Sequence, residues 1–225
     1  MSERISVVIP VHQGERFVAQ AIETALAQDR PPDEVIVVDD GSTDDSGKIA
    51  RAHPVHYIRQ ANAGVAAARN AGLEAATGDY IAMLDQDDLW EPHKLRVQLR
   101  CLHERPDVGW VTCRTRWLLE PGTPMARWMR PEWFEEPQYA FITSAMLARR
   151  RTFEIVGAFD TSYVQGSDSD WLMRARDAGF PPTTIEEVLV HRRIHGANNS
   201  NDLETGASEM ARILKASLDR RRARG

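Results

Sequence analysis

The feature that most constrains this chain is a series of short apolar runs, each passing directly into turn formers or carboxylates. Ile5-Ser6-Val7-Val8-Ile9 is closed by Pro10 and leads to Val11-His12; Val35 to Val38 runs into Asp39-Asp40-Gly41-Ser42; Tyr80 to Leu84 runs into Asp85-Gln86-Asp87-Asp88. Runs of this length, rich in β-branched residues and bounded by turn residues, predict buried strands. The segments between them have helical periodicity. In Glu15 to Gln28, Phe17, Ala21 and Ala25 share one stripe, with Val18, Ile22 and Leu26 beside it, and Pro31-Pro32 stops the helix. Asp44 to His53 reads as a short helix, Val55 to Ile58 as a strand and Gly64 to Ala76 as a helix. Strand and helix in alternation predict βαβ units, hence an α/β fold with a mainly parallel central sheet flanked by helices.

The second half is less regular. Pro92 stands where a helix should begin, and Leu95, Leu99 and Leu102 give that helix an apolar side. Trp110-Val111-Thr112 reads as a strand. Residues 120–137 combine Pro121, Pro124, Pro131 and Pro137 with Trp128, Trp133 and Phe134, predicting a long loop with aromatic anchors. Asp168 to Ala178 reads as a helix and Ile185 to Val190 as a strand. Leu203 to Arg222 reads as a terminal helix leading into Arg220-Arg221-Arg222-Ala223-Arg224.

Composition removes some function classes. A net charge of −5 disfavours nucleic acid as a partner. The two cysteines, Cys101 and Cys113, are too far apart for a CxxC motif, so neither a disulfide framework nor a zinc site is expected. No apolar run approaches the roughly 18 residues of a membrane span. Glu3 and Arg4 lead straight into the first strand with no signal-peptide pattern, so the expected location is cytoplasmic, with peripheral contact at the inner membrane face left open.

Ligands of parallel α/β sheets bind beyond the carboxyl ends of the strands, where the polar clusters of this chain fall. Carboxylates gathered there repel one another unless something positive intervenes, and a divalent cation such as Mg²⁺ or Mn²⁺ suits carboxylate oxygen. There is neither a G-x-G-x-x-G nor a G-x-x-x-x-G-K-[ST] sequence, which disfavours nicotinamide dehydrogenases and P-loop NTPases. Each cluster alone has a plainer reading. Asp39 to Asp44 makes a good turn and helix cap, Asp85 to Asp88 a solvated loop, His12 a loop residue, and the tryptophans core.

Together the clusters resemble a known family. Val7-Val8-Ile9-Pro10-Val11, Val37-Val38-Asp39-Asp40-Gly41-Ser42-Thr43-Asp44, Asn62-Ala63-Gly64 with Ala68-Arg69-Asn70-Ala71-Gly72, Gly78-Asp79-Tyr80-Ile81 and Leu84-Asp85-Gln86-Asp87-Asp88 follow the order and spacing of the family 2 glycosyltransferases. The resemblance runs from about residue 4 to residue 200. It implies the GT-A fold, a Rossmann-like nucleotide-diphospho-sugar transferase architecture. It also implies a nucleoside diphosphate sugar donor and a divalent metal, Mn²⁺ or Mg²⁺.

It further implies roles. Pro10, Val11 and His12 would embrace the base, although the family usually has Tyr-Asn where this chain has His12-Gln13. Asp40 would accept the base N3–H, which favours a UDP-linked sugar without excluding GDP. Gly64 and Arg69 would lie near the nucleotide. Asp85-Gln86-Asp87 matches the D-x-D motif, with Asp87 on the metal and Asp85 orienting ribose or water. Val156-Gly157-Ala158-Phe159-Asp160 precedes the acceptor region. Gly166-Ser167-Asp168-Ser169-Asp170-Trp171-Leu172-Met173-Arg174 resembles E-D-x-D-L-W-x-x-R, making Asp168 the general base, with Ser167 where Glu is common. Losing that neighbouring charge should let Asp168 ionise more readily, while Asp170 pairs with Arg174. In His191-Arg192-Arg193-Ile194-His195-Gly196-Ala197-Asn198-Asn199-Ser200, Arg193 would clamp phosphate and His195 would be a further metal ligand. A zinc site on His191 and His195 would need helical spacing. The sequon Asn198-Asn199-Ser200 means little without a secretion signal.

The resulting reading is an inverting, metal-dependent hexosyltransferase-type enzyme. Residues 1–200 would form one catalytic domain, about 1–110 binding the nucleotide sugar and about 111–200 the acceptor. Residues 201–225 would form a terminal helix with an arginine-rich tail, read as a solvated helix end. That helix, with Met210, Ile213, Leu214 and Leu218, could pack on its own domain or on a second copy. The acceptor (glycan, lipid carrier, small molecule or peptide) is not encoded in any recognisable motif. Two alternatives are a nucleotidyltransferase making nucleotide sugars and a non-catalytic nucleotide-sugar-binding protein.

Overall fold

The computed structural model describes residues 3–126, 129–139, 142–198 and 202–223, so Trp128, Asn199, Ser200 and Arg224 lie outside the described residues. The elements in chain order are β1 (Ile5–Val11), α1 (Val18–Leu26), β2 (Glu34–Asp40), α2 (Ser46–Arg51), β3 (His56–Gln60), α3 (Val65–Ala75), β4 (Tyr80–Met83), β5 (Leu89–Trp90) and α4 (Lys94–Glu104). They continue with β6 (Trp110–Leu119), α5 (Glu132–Glu135), β7 (Gln138–Tyr139), a 3₁₀ turn (Thr143–Ala145), β8 (Leu147–Arg149), α6 (Arg150–Val156), α7 (Ser167–Asp177), β9 (Thr183–Ile194) and α8 (Leu203–Arg222).

The strands form one sheet in the order β3-β2-β1-β4-β8-β6-β9-β5, with β7 on β6. β3, β2, β1 and β4 are mutually parallel, as the alternation of strand and helix requires. Beyond β4 the sheet becomes mixed: β8 is antiparallel to β4 and to β6, β9 is parallel to β6, and β5 is antiparallel to β9.

Period-two alternation splits the apolar strand residues between two cores. Val7, Ile9, Val37, Ala82 and Leu84 face α1 and α4, where Val18, Ile22, Leu95 and Leu102 complete one buried cluster. Val8, Ile36, Val38, Ile81 and Met83 face the other way, toward Ala66 and Ala68 of α3, Phe153 of α6 and Trp171 of α7. Each fully buried Val, Leu or Ile contributes roughly 1.5–3 kcal/mol. α3 lies close on the sheet because residue 72 is glycine: a Cβ there would sit 2.2 Å from Val8 Cγ1.

Several boundaries differ from the sequence reading. α1 starts at Val18, because residues 15–17 form a turn, and α4 starts at Lys94, two residues past Pro92. The strand at Trp110 continues to Leu119 and the strand at Ile185 reaches Ile194, because the two pair over most of their length. The 120–137 loop contains α5, whose Trp133 and Phe134 pack edge-on against Trp117. The short strands β5, β7 and β8 and the helix α6 have no periodicity long enough to read.

α8 lies against α7. Its Glu209, Ile213 and Ser217 are buried, while Met210, Leu214 and Leu218 remain exposed. Its basic end is not simply solvated: Arg220 and Arg221 both pair with the buried Asp177 at the end of α7, at 2.9 and 3.0 Å. Among the described residues no helix is long and apolar enough to cross a membrane.

Candidate active site

The carboxyl ends of β1, β2 and β4, the N-termini of α3 and α7 and the end of β9 enclose a cleft of about 930 Å³. Pro10, Val11, His12, Asp40, Gly64, Arg69, Asp85, Asp87, Asp168, Arg193 and His195 all line it. Residues more than 180 positions apart therefore meet on one surface, which no local pattern could reveal.

The β1 and β2 ends form an interlocked pair of loops. His12 Nδ1 donates to the Asp40 carbonyl at 2.9 Å, and Asn62 approaches His12 Nε2 at 3.1 Å, fixing the imidazole at the cleft mouth. Gln13 has a positive φ of 49°, held because its side-chain oxygen accepts from Thr43 N–H. The successive N–H groups of His12, Gln13, Gly14 and Glu15 all donate to side chains, those of Gln86, Ser42, Ser46 and Asp44. A phosphate-cradling loop needs such N–H groups free, so this turn is a poor phosphate loop for a nucleotidyltransferase.

The paired aspartates at the end of β2 have separate tasks. Asp39 is fully buried and accepts from Ser42 N–H, Tyr57 O–H and Arg59, so it builds the turn. Burial opposes its ionisation, yet these hydrogen bonds hold its pKa below the ordinary value. Asp40 accepts from Gln60, Ala63 N–H and Gly64 N–H at 2.7–2.9 Å. These bonds fix the start of α3, where Gly64 adopts φ 91°. They fill about three of the roughly four lone-pair positions of a carboxylate. The anticipated bond to a base is left with the fourth.

The acidic floor is held by buried cations and amides. Arg69, 4% exposed, reaches from α3 to Asp85 at 2.8 Å and to Ser167 Oγ at 3.4 Å. Burial disfavours its charge, but Asp85, Asp168 and Asp87 outweigh that and raise its pKa. The next residue of the same motif, Asn70, exchanges two hydrogen bonds with the backbone of Phe159, locking α3 to the segment between α6 and α7. Asp87 accepts from His195 Nε2 at 2.9 Å and Asn198 Nδ2 at 3.0 Å. Ala197 N–H approaches His195 Nδ1 at 3.3 Å, which leaves Nε2 as the protonated nitrogen facing Asp87. Asp88, absent from the sequence-derived site, is buried and accepts from Arg193 N–H. Burial, then Asp87 and Asp85, push its pKa well above the usual range.

Arg193 is held at the cleft edge: its guanidinium contacts Gln20 and Glu120 and lies over the Phe17 ring. A phosphate would compete with Glu120 for it. His191 pairs instead with Glu91 at 2.6 Å, so His191 and His195 serve separate carboxylates and make no joint zinc site.

Asp168 sits in the first turn of α7 and accepts from Ser169 N–H at 2.7 Å. Burial raises its pKa above the ordinary value, with Asp85 acting the same way and Arg69 opposing. The easier ionisation expected from having Ser167 beside it is thus outweighed by desolvation. Ser167 is itself buried against Arg69. Asp170 pairs with Arg174 at 2.7 Å, and Arg174 also donates to the carbonyls of Val156 and Ala158, as a structural residue does.

The Glycosyl transferase family 2 profile matches residues 6–159. The chain belongs to this family. An uncharacterised glycosyltransferase of Nostoc sp. is 30% identical over 238 residues, covering 96% of this chain and 72% of that protein. The chondroitin synthase of Escherichia coli is 26% identical over 230 residues, covering 96% of this chain and 33% of that protein. Among solved structures, the mannosyltransferase PcManGT from Pyrobaculum calidifontis, in complex with GDP-Man and Mn²⁺, superposes with a TM-score of 0.76 at 21% identity, covering 97% of this chain and 65% of that one. S. aureus TarS in complex with UDP-GlcNAc gives 0.69 at 18% identity, covering 88% and 61%. This family 2 member therefore has the GT-A fold and spans about a third of the synthase and under two thirds of the two crystallised chains. The profile match ends before Asp168, Arg193 and His195, which rest on cleft geometry and on the motif resemblance.

Proposed function

We propose that this chain is a glycosyltransferase moving a sugar from a nucleoside diphosphate sugar, preferably UDP-linked, to an acceptor nucleophile with inversion. The observation that carries this is the cleft, which gathers the loops ending β1 and β2, a cation-balanced acidic floor at β4 and the half-buried carboxylate of Asp168 at α7. That the similar GT-A structures hold UDP-GlcNAc and GDP-Man supports a nucleotide-sugar donor.

His12 and the β2 loop would receive the base, with Asp40 shaping that pocket through residues 60–64. Arg69 keeps Asp85 oriented toward the donor. Asp168 takes the proton of the acceptor hydroxyl as its oxygen bonds to the anomeric carbon. The bond from that carbon to the diphosphate oxygen breaks on the opposite face, and the nucleoside diphosphate leaves.

A divalent cation fits Asp87 and His195 as a two-ligand site. Among the described residues no three His, Cys, Asp or Glu side chains converge, so the protein offers no closed cage. Magnesium-type sites need none, being held by one or two protein groups with phosphate oxygens and water. When bound, the cation neutralises charge building on the diphosphate leaving group. His195 would ligate through Nε2 as the Nδ1–H tautomer, exchanging its present hydrogen bonds with Asp87 and Ala197 N–H for the metal.

Calorimetric titration of UDP, GDP, dTDP and their common sugars, with and without Mn²⁺, tests this reading. Donor binding should require the metal and weaken at least about tenfold in Asp87→Ala, the usual scale for a lost metal interaction. Absence of binding to every member of the panel would sink the donor assignment. Binding without turnover would favour a non-catalytic nucleotide-sugar-binding protein.

A further inference from the structure

We infer that Glu209 of the C-terminal helix is a positioning residue for Asp168; this rests on the reading of Asp168 as the general base. Glu209 lies beyond the family match and outside every motif of the sequence. Its carboxylate, 8% exposed, accepts three consecutive backbone N–H groups: Val164 at 2.7 Å on Oε1, and Gln165 at 2.9 Å and Gly166 at 2.7 Å on Oε2. Burial opposes its ionisation, but the three amides, with Arg212 behind them, hold its pKa below the ordinary value.

The bound turn is the one that launches α7. Gly166 is the residue before the helix, its carbonyl accepts the first helical bond from Asp170 N–H, and Asp168 follows two residues later. α7 has no side-chain cap of its own. The carboxylate of α8 thus fixes the point at which α7 starts, and with it the placement of Asp168 and the contact of Ser167 with Arg69. Val164 and Gln165 are also cleft-lining residues, so the same three bonds shape the wall beside the base. The approach is close: a Cβ on Gly166 would meet Ile213 Cδ1 of α8 at 2.9 Å. Around the bond set, Gln165 donates to the Asp202 carbonyl and Arg212 lies over Tyr163 at 3.7 Å, so the turn is held along its whole length.

The test uses the nucleotide sugar that binds best in the Mn²⁺ titration and follows release of the nucleoside diphosphate with water as acceptor. Glu209→Gln keeps the size but replaces one acceptor oxygen by a donor. Turnover should fall about tenfold or more, the scale of a misplaced catalytic group, while donor Kd stays within about twofold. Glu209→Asp, which keeps the charge on a shorter arm, should recover part of the loss. Turnover of Glu209→Gln within about twofold of wild type overturns the inference, and so does parallel loss of donor binding and turnover. If the variant does not fold, hydrogen exchange on the wild type decides. The amides of Val164, Gln165 and Gly166 should be protected to the level of α7, and rapid exchange there overturns the proposal. Asp168→Asn separates the two readings. Unchanged turnover in that variant removes the base itself. Lost turnover there, with Glu209→Gln unaffected, removes only the role of Glu209.

Discussion

The two halves of the sheet hold their site residues in different ways. In β3-β2-β1-β4 the cleft-lining residues lie at or just beyond the strand ends, and the supporting bonds come from nearby loops: Asp40 is held by residues 60–64. In β8-β6-β9-β5 the corresponding residues come from the start of α7 and the end of β9, and are fixed by distant partners. Asp87 meets His195 across 108 positions, and the turn before Asp168 is held by Glu209. The first half is a set of pre-shaped loops on a parallel scaffold. The second is an assembly of late elements closed over it.

The sharpest way to break this comparison lies within α7, where two aspartates two residues apart are assigned opposite tasks. Asp168→Asn should lower turnover by about 10²–10⁴-fold with donor binding intact, the usual contribution of a general base. Asp170→Asn should instead reduce stability, because it removes the charge that pairs with Arg174 and leaves the guanidinium to the Val156 and Ala158 carbonyls, and should largely spare turnover in the folded fraction. Reversed phenotypes would refute the assignment. Because burial raises the pKa of Asp168, the acid limb of the rate profile in wild type should lie above the ordinary aspartate value of 3.8. Activity should be lost as pH falls through that limb and the base takes up a proton.

Next in size is Arg69, the cation that joins the halves by reaching from α3 to Asp85 and Ser167. Arg69→Met should cost about 3–5 kcal/mol in urea unfolding, because removing one partner of a buried pair leaves an uncompensated charge. Asp85 is half-exposed and can recover water, so the lower end of that range is expected. A loss under about 1 kcal/mol would mean that the acidic floor balances itself without Arg69.

Legibility follows the length of each element more than this division. The four parallel strands and α1, α3, α7 and α8 were readable because each carries a run or stripe long enough to show its period. β5, β7 and β8, of two or three residues, exist only because a neighbouring strand offers an edge. The cleft residues were readable as motifs, but their present partners were not. Nothing local indicates that Arg193 meets Gln20, that Asp40 is occupied by its own loop, or that two arginines of the tail belong to Asp177. Glu209 was invisible because a single glutamate in a terminal helix looks like any solvated one. Lys94 was invisible for the opposite reason, since lysine is almost never fully buried.

Lys94 sits at the seam between the halves and supplies the next prediction. Its Nζ donates to Gln98 Oε1 at 2.7 Å and to the Met146 carbonyl at 3.4 Å, and lies 3.9 Å from the centre of the Trp90 ring. Gln98 and Trp90 in turn bond the carbonyls of Ala145 and Ser144, and Ser144 receives Asp85 N–H, so this group backs the acidic floor. Burial lowers its pKa from 10.5 to about 7. Between those values the unfolded chain binds a proton that the folded chain does not, so stability should climb with rising pH from about 7 to 10.5. The full gain is on the order of 5 kcal/mol for a shift of this size. Lys94→Met should flatten that part of the profile relative to wild type; parallel profiles would show that the lysine stays charged in the fold.

The smallest expected effect is at the far end of α8. Asp177 is 1% exposed at its side chain and accepts from Ser217, Arg220 and Arg221. Arg221 is 48% exposed and shares its task with Arg220, so Arg221→Ala should cost no more than about 1 kcal/mol, as for ordinary surface pairs. Turnover should not change, because this contact fixes the end of α7 while Glu209 fixes its start. A loss of turnover in Arg221→Ala would mean that the whole of α8, and not the carboxylate at its first half, sets the position of the base. The second half of the molecule would then act as one body, and the distinction between its individual late contacts would dissolve.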